Sequence, residues 1–161
     1  MGDVHLAFHA ETNRHVALKS MHEAAATNEE FRKRFRREAR AAMAVQHPNV
    51  VKVYEIFEND EIPYIAMEYL EGESLEERMN REGVLPLRMV ARLMVRVTSA
   101  VGTAHAMGIV HRDLKPENIF LVGDAADPEV KVLDFGIAKL TATDGAAAET
   151  AALTKTGMLM G

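Results

Sequence analysis

The sequence predicts an α+β fold in two lobes, in which an antiparallel sheet with one inserted helix precedes a mostly helical part. Up to residue 68, short runs rich in β-branched and aromatic residues alternate with turn-forming residues, which is typical of strands. After residue 74, apolar residues recur at the spacing of a helix instead. We therefore expect a first lobe at 1–68 and a second lobe at 74–161, joined by residues 69–73.

Four strands and one helix are predicted in the first lobe. The strands are expected at Val4–Phe8, His15–Ser20, Val50–Phe57 and Ile62–Glu68. The helix is expected to begin at Thr27-Asn28-Glu29-Glu30, which has the pattern of a capping box. One stripe then recurs at helical spacing until His47-Pro48-Asn49, and it contains Phe31, Phe35, Glu38, Ala42 and Val45.

Helices predominate in the second lobe. A second capping box at Ser74-Leu75-Glu76-Glu77 predicts a short helix that ends near Gly83. A long helix is expected after Pro86, with an apolar stripe of Val90, Leu93, Val97, Ala100, Val101 and Ala104. Two strands, at 119–122 and 130–133, complete the lobe.

Composition narrows the class of protein. The 161 residues carry a net charge of −5, which argues against a nucleic-acid partner, because binding to phosphates needs a basic surface. The lack of cysteine excludes disulfides and thiolate chemistry. No apolar run reaches the length of a membrane span, and the first residues do not have the pattern of a signal peptide. We therefore predict a cytoplasmic protein with no membrane segment in this chain.

The most informative segment is the run His111-Arg112-Asp113-Leu114-Lys115-Pro116-Glu117-Asn118, followed after sixteen residues by Asp134-Phe135-Gly136. In these motifs the chain resembles the protein kinases, specifically the serine/threonine class, and most closely the eukaryotic-like kinases of bacteria. Asp-Phe-Gly alone could be an ordinary turn. The eight-residue match at this separation disfavours that alternative.

The resemblance implies transfer of the ATP γ-phosphoryl group to serine or threonine hydroxyls of proteins, with Mg²⁺ as the metal. Asp113 would accept or orient the hydroxyl proton, and Lys115 would lie against the transferring phosphate. Asn118 and Asp134 would supply the hard oxygen ligands that magnesium prefers. Lys115 also favours the serine/threonine class, because tyrosine kinases usually carry a different pattern there.

The resemblance extends upstream to Lys19, which ends the run Val16-Ala17-Leu18-Lys19 and would bind the α- and β-phosphates. Glu38 lies on the apolar stripe of the first helix, so it is expected to face inward. A carboxylate facing a core needs a cation, which favours a Lys19–Glu38 pair. The alternative is a surface pair between Arg34 and Glu38 at i,i+4.

The family pattern also implies an adenine site. Val4 and Ala17 would form its roof and Phe120 its floor, where leucine is commoner in the family. Met67 would be the gatekeeper. The resemblance makes residues 69–73 the hinge between the lobes, and the backbone groups of Glu68 and Leu70 would hydrogen-bond the base. Without the resemblance, 67–70 would be read as a strand end.

A regulatory contact is implied as well. Arg112 precedes the catalytic aspartate, and in the family this arginine binds a phosphorylated activation loop. The expected acceptors, including through autophosphorylation, are Thr154 and Thr156. The alternative is that these are plain threonines in a segment of low complexity.

The sequence departs from the family pattern at both ends. The glycine-rich loop survives as Gly2-Asp3-Val4, and the chain stops before the family's substrate-binding segments, so we expect a truncated catalytic domain. The long helix would then lack a packing partner for Val90, Leu93, Val97 and Val101, which predicts marginal stability and weak activity. The rival function is a pseudokinase or scaffold that binds nucleotide or a partner without transferring phosphate. A small-molecule kinase is disfavoured by the catalytic-loop pattern.

Overall fold

The computed structural model describes residues 3–135, and the first lobe is a four-stranded antiparallel sheet with two helices. Its strands are β1 (Val4–His9), β2 (Arg14–Ser20), β3 (Val53–Asn59) and β4 (Ile62–Glu68). Helices α1 (Glu23–Ala26) and α2 (Glu29–Ala44) lie between β2 and β3 in the chain. The strand order is β1-β2-β4-β3, and each hydrogen-bonded pair of strands is antiparallel.

The second lobe combines helices with a small sheet. It contains β5 (Gly72–Ser74), α3 (Leu75–Glu82), α4 (Leu87–Ala106), a 3₁₀ turn (Pro116–Asn118), β6 (Ile119–Val122) and β7 (Glu129–Val132). The sheet order is β5-β6-β7, again antiparallel. A Cβ atom on Gly72 would lie 1.9 Å from the carbonyl oxygen of Leu121, so the close approach of β5 to β6 requires glycine. The predicted α+β arrangement is confirmed.

Strand register places the predicted nucleotide-binding residues of the first lobe on one face of the sheet. Val4 lies opposite Lys19, and Ala17 lies opposite Met67. Residues that oppose each other in an antiparallel ladder project to the same side. These four side chains therefore share a face.

Two details of helix α2 differ from the prediction. The side chain of Asn28 caps the helix by accepting a hydrogen bond from the Glu30 amide at 2.9 Å. Thr27 is not the cap, because its hydroxyl donates to the Ala24 carbonyl and closes the short helix α1. Phe31 is also exposed, and the buried face is formed by Phe35, Ala39 and Ala42. The second capping box, between Ser74 and Glu77, is confirmed.

Helix α4 has a packing partner within the second lobe. Leu93 and Val97 are 1% and 2% exposed and belong to the same buried cluster as Val130 and Val132 of β7. The expectation that these two residues lack a partner is therefore wrong, because the small sheet covers that side of the helix. Val90 and Val101, the other members of that stripe, are half-buried. Across residues 3–135, no helix has both the length and the apolar character of a membrane span.

The segment between α2 and β3 connects the first lobe to the second through hydrogen bonds. The Val51 amide donates to the Val132 carbonyl at 3.0 Å, and the Val132 amide donates to the Asn49 carbonyl at 2.8 Å. The Asn49 side chain donates to the Val130 carbonyl at 2.9 Å, and His47 Nε2 lies 3.0 Å from the Ser99 hydroxyl. Strand β7 is thus held to the first lobe by backbone hydrogen bonds.

Candidate active site

The two lobes meet at Lys19 and Asp134. Lys19 lies on β2, Asp134 follows β7 by two residues, and the Nζ–Oδ1 distance is 2.6 Å. A small cavity of about 30 Å³ is lined by both residues together with Glu38, Met67 and Phe135. Folding therefore brings four of the residues predicted from sequence, Lys19, Glu38, Met67 and Asp134, to one place.

Glu38 is half-buried on α2 and lines this cavity. The contact shown for Lys19 is with Asp134, so the Lys19–Glu38 pair stays a prediction. Arg34 lies 3.8 Å from Glu30, a surface pair at i,i+4.

The catalytic-loop segment is folded around Asn118. The Asn118 side chain is buried, and its Nδ2 donates to the backbone carbonyl of Asp113 at 2.8 Å and to Asp113 Oδ2 at 3.3 Å. The Leu133 amide donates to the Asn118 carbonyl at 2.8 Å. Because Leu133 directly precedes Asp134, these bonds place the loop next to the residue that contacts Lys19.

Lys115 contacts a neighbour in its own loop. Its Nζ lies 3.3 Å from Glu117 Oε1, and both side chains are partly exposed. The pKa of the Glu117 carboxyl lies below its usual value, chiefly because it accepts a hydrogen bond from its own backbone amide, with Lys115 adding to the effect.

Two residues of the site have unusual backbone conformations. Arg112 has a φ of 60° and Asp134 a φ of 43°, in the left-handed region that residues other than glycine seldom adopt. Such conformations concentrate at functional sites, where the surrounding structure maintains them. The Arg112 side chain is exposed. Thr154, Thr156 and Gly136 lie outside the described residues, so the predicted contact between Arg112 and a phosphorylated loop stays a prediction.

His111 is a site residue to which the sequence assigned no role. It is 2% exposed, its Nε2 lies 2.8 Å from the Leu133 carbonyl oxygen, and its ring centroid lies 4.8 Å from that of Phe135. Because a carbonyl oxygen only accepts, Nε2 carries a hydrogen, and Nδ1 is then the unprotonated nitrogen of the neutral ring. Nδ1 is buried without a hydrogen-bond partner among the described residues. Burial lowers the pKa of His111, so the neutral ring is favoured.

The residues predicted to contact adenine have defined neighbours. The Glu68 amide donates to the Lys52 carbonyl at 2.9 Å, so the sheet uses this donor. Leu70 follows β4 and is half-buried. Phe120 lies on β6, opposite Lys131 of β7 in the register.

The predicted metal ligands, Asn118 and Asp134, carry the kind of oxygen atoms that Mg²⁺ prefers. Within residues 3–135, no group of three or more histidine, cysteine, aspartate or glutamate side chains could hold a metal ion. The Leu133 amide donates to the Asn118 carbonyl, and Asp134 follows Leu133 in the chain, so the two residues lie near each other. Both side chains offer hard oxygen atoms. Magnesium commonly takes one or two protein ligands and completes its shell with water and phosphate oxygens.

A two-lobed α+β fold, with charged residues of both lobes meeting in one cleft, defines the class of protein. The chain belongs to the protein kinase domain family, whose model matches residues 1–157. The predicted resemblance to this family is confirmed.

The curated relatives are bacterial. The chain is 42% identical over 140 residues to the serine/threonine-protein kinase PrkC of Bacillus subtilis. The match covers 86% of this chain and 21% of that protein. It is 37% identical over 164 residues to the serine/threonine-protein kinase PknB of Mycobacterium leprae. This match covers 99% of this chain and 26% of that protein. The chain thus spans about a fifth to a quarter of the length of these relatives.

The fold is similar to solved structures of a kinase domain. The crystal structure of the PknI kinase domain of Mycobacterium tuberculosis superposes with a TM-score of 0.73 at 35% identity. The match covers 85% of this chain and 55% of that one.

Proposed function

We propose that the protein is an ATP- and Mg²⁺-dependent serine/threonine protein kinase. The observation that supports this most strongly is the contact between Lys19 and Asp134 across the cleft. A phosphate-binding amine and a metal-binding carboxylate from different lobes have to converge if one nucleotide is to bind both. Family membership and the names of the curated relatives agree with this reaction.

Asp113 is the proposed proton acceptor. Its carboxylate and backbone carbonyl are both held by the Asn118 side chain, which fixes the loop that presents it. A carboxylate positioned in this way can orient the serine or threonine hydroxyl for attack on the γ-phosphorus and receive its proton. Lys115, in the same loop, would neutralise charge on the transferred phosphoryl group after leaving Glu117.

The first lobe would hold the adenine ring. Val4, Ala17 and Met67 share the face of the sheet that carries Lys19. Because the Glu68 amide is used by the sheet, the Glu68 carbonyl and the backbone of Leu70 are the proposed partners of the base. Phe120 would close the site from the second lobe. In this assignment, residues 1–68 and 74–161 form the two lobes, and 69–73 form the hinge.

The bound metal would neutralise phosphate charge, and Asn118 and Asp134 are the residues that would hold it. Asp134 contacts Lys19 directly in this structure. Nucleotide binding would separate the pair, because Lys19 then binds phosphate oxygens while Asp134 faces a cation. Each charge would exchange one opposite charge for another, which keeps the cost of opening the pair low.

The proposed substrates are proteins with accessible serine or threonine hydroxyls. Autophosphorylation at Thr154 and Thr156, with Arg112 as the receiving cation, is part of the same proposal. Incubation of the purified protein with labelled ATP, Mg²⁺ and a generic protein substrate tests the proposal. We expect label on serine or threonine and its loss in Asp113→Asn. Nucleotide binding with no transfer by the wild type would instead favour the pseudokinase alternative.

A further inference from the structure

A partly buried ion pair joins the end of β4 to β7. Lys131 Nζ lies 2.8 Å from Oε1 and 3.0 Å from Oε2 of Glu68. The side chains are 16% and 18% exposed. Glu68 Oε1 also accepts a hydrogen bond from the Lys52 amide at 2.8 Å. Three hydrogen bonds therefore fix one carboxylate at the junction of the lobes.

The pair connects the two ends of the proposed nucleotide site. Glu68 is the last residue of β4, and its backbone carbonyl is a proposed partner of adenine. Lys131 precedes Asp134, a proposed metal ligand, by three residues and lies opposite Phe120, the proposed floor of the adenine site. This contact therefore links the segment proposed to bind the base to the segment proposed to bind the metal.

The position of the pair favours a geometric role over a role in stability. Lys131 and Glu68 line a cavity of about 310 Å³, so water reaches them. The cost of removing two charges from bulk water offsets much of their attraction, so a partly buried ion pair is weak evidence for a role in stability. Strand β7 is already held to the first lobe by the hydrogen bonds of Asn49 and Val51, so the lobes do not need the pair to remain associated.

We propose that Lys131 is a positioning residue for ATP binding, and this rests on the function proposed above. By holding the Glu68 carboxylate, Lys131 sets the spacing between the hinge backbone and Asp134. ATP with Mg²⁺ spans both ends, so its affinity depends on that spacing. Adenosine occupies only the hinge end, so its affinity does not.

Calorimetric titration of the purified protein with ATP·Mg²⁺ and, separately, with adenosine tests this proposal. In Lys131→Met we expect ATP·Mg²⁺ affinity to fall about three- to tenfold, within the range of one typical hydrogen bond, because Lys131 acts on ATP only through Glu68. Adenosine affinity should change less than twofold. In turnover assays the KM for ATP should rise while kcat changes little.

Lys131→Arg should restore most of the ATP affinity, because a guanidinium can also hold the Glu68 carboxylate. Lys33→Met is the matched control, because Lys33 is exposed on α2 and lies 3.9 Å from Glu29.

The double variant Glu68→Gln/Lys131→Met leaves no unpaired charge, so it gives the same comparison if Lys131→Met is poorly folded. Its loss of ATP affinity should match that of Lys131→Met alone. It should be smaller than the product of the losses measured in Lys131→Met and in Glu68→Gln. Equal losses for ATP and adenosine would overturn the proposal, because they indicate local damage to the hinge. Unchanged ATP affinity in the double variant would also overturn it. A wild-type protein that binds neither ligand would instead refute the proposed function.

Discussion

Lys19 and Asp134 are 115 residues apart in the chain, and their side chains meet with Nζ 2.6 Å from Oδ1. Lys19 is 14% exposed and Asp134 is 43% exposed, so the amine lies deeper in the cleft than the carboxylate. The two charges stabilise each other at the place where phosphates and a cation would bind. The contact therefore marks the centre of the proposed site, and both residues would change partners when nucleotide binds.

Replacing Lys19 with methionine should weaken ATP·Mg²⁺ binding by tenfold or more. The change removes a charge-assisted contact to phosphate, of about 1.5–3 kcal/mol, and retains most of the length of the side chain. It also leaves Asp134 without the cation shown in the structure. Calorimetric titration measures the effect, with Lys33→Met on the exposed face of α2 as the control. An affinity within twofold of the wild type would contradict the role of Lys19.

Asp113→Ala should lower phosphorylation of a generic protein substrate by about 10²–10⁴-fold, the usual range for a positioned base. ATP affinity should change little, because the carboxylate is assigned to the acceptor hydroxyl. Initial rates at saturating ATP measure the effect. The control is Asp124→Ala, because Asp124 lies in the turn between β6 and β7 and caps the Ala126 amide. A loss of less than tenfold would refute the assignment.

Much of this fold follows from local sequence. Strands β4 and β6 have the bounds that their β-branched and aromatic runs predict, and the capping box at Ser74 begins α3 as expected. Strand β5 was not predicted, because its three residues become a strand only by pairing with β6, far along the chain. The short helix α1 was missed for a related reason, since four residues carry no periodic signal.

The site was predictable where a motif carried it and not where only tertiary contacts define it. The catalytic-loop motif gave Asp113 and Asn118, and their mutual contact agrees with it. The contact of Lys131 with Glu68, on which its proposed role rests, was not predicted, because a single lysine on a short strand has no distinguishing pattern. His111 stands in the motif, yet its role depends on the distant Leu133 carbonyl.

Acid should destabilise the protein partly through His111. Burial lowers its pKa in the folded state, and this outweighs the opposing effects of the hydrogen bond to the Leu133 carbonyl and of the Asp113 and Asp134 carboxylates. Below about pH 6.5 the unfolded chain then binds a proton that the folded state disfavours, so the free energy of unfolding falls as the pH drops. Above that pH the full contribution is present.

Urea unfolding at pH 7 and pH 5 measures this effect. The loss of stability between the two values should be smaller in His111→Gln than in the wild type, while the exposed His105→Gln should behave as the wild type does. Equal losses in all three proteins would show that His111 does not titrate in this range.

Helix α4 offers a test of the packing described for the second lobe. Leu93→Ala should lower the free energy of unfolding by about 2–5 kcal/mol, because it leaves a cavity against the small sheet. Val95→Ala on the same helix should change it by less than about 0.5 kcal/mol, because Val95 is exposed. Chemical denaturation of both variants measures the difference. Similar values would mean that the buried face of α4 has been misassigned.

The most direct test of the central claim is the affinity of the purified protein for ATP with and without Mg²⁺, compared between the wild type and Asp134→Asn. If Asp134 and Lys19 bind one metal–nucleotide complex, Mg²⁺ should strengthen ATP binding to the wild type, and most of that gain should vanish in the variant. An ATP affinity that is the same with and without the metal, or a gain that persists in Asp134→Asn, would contradict the account.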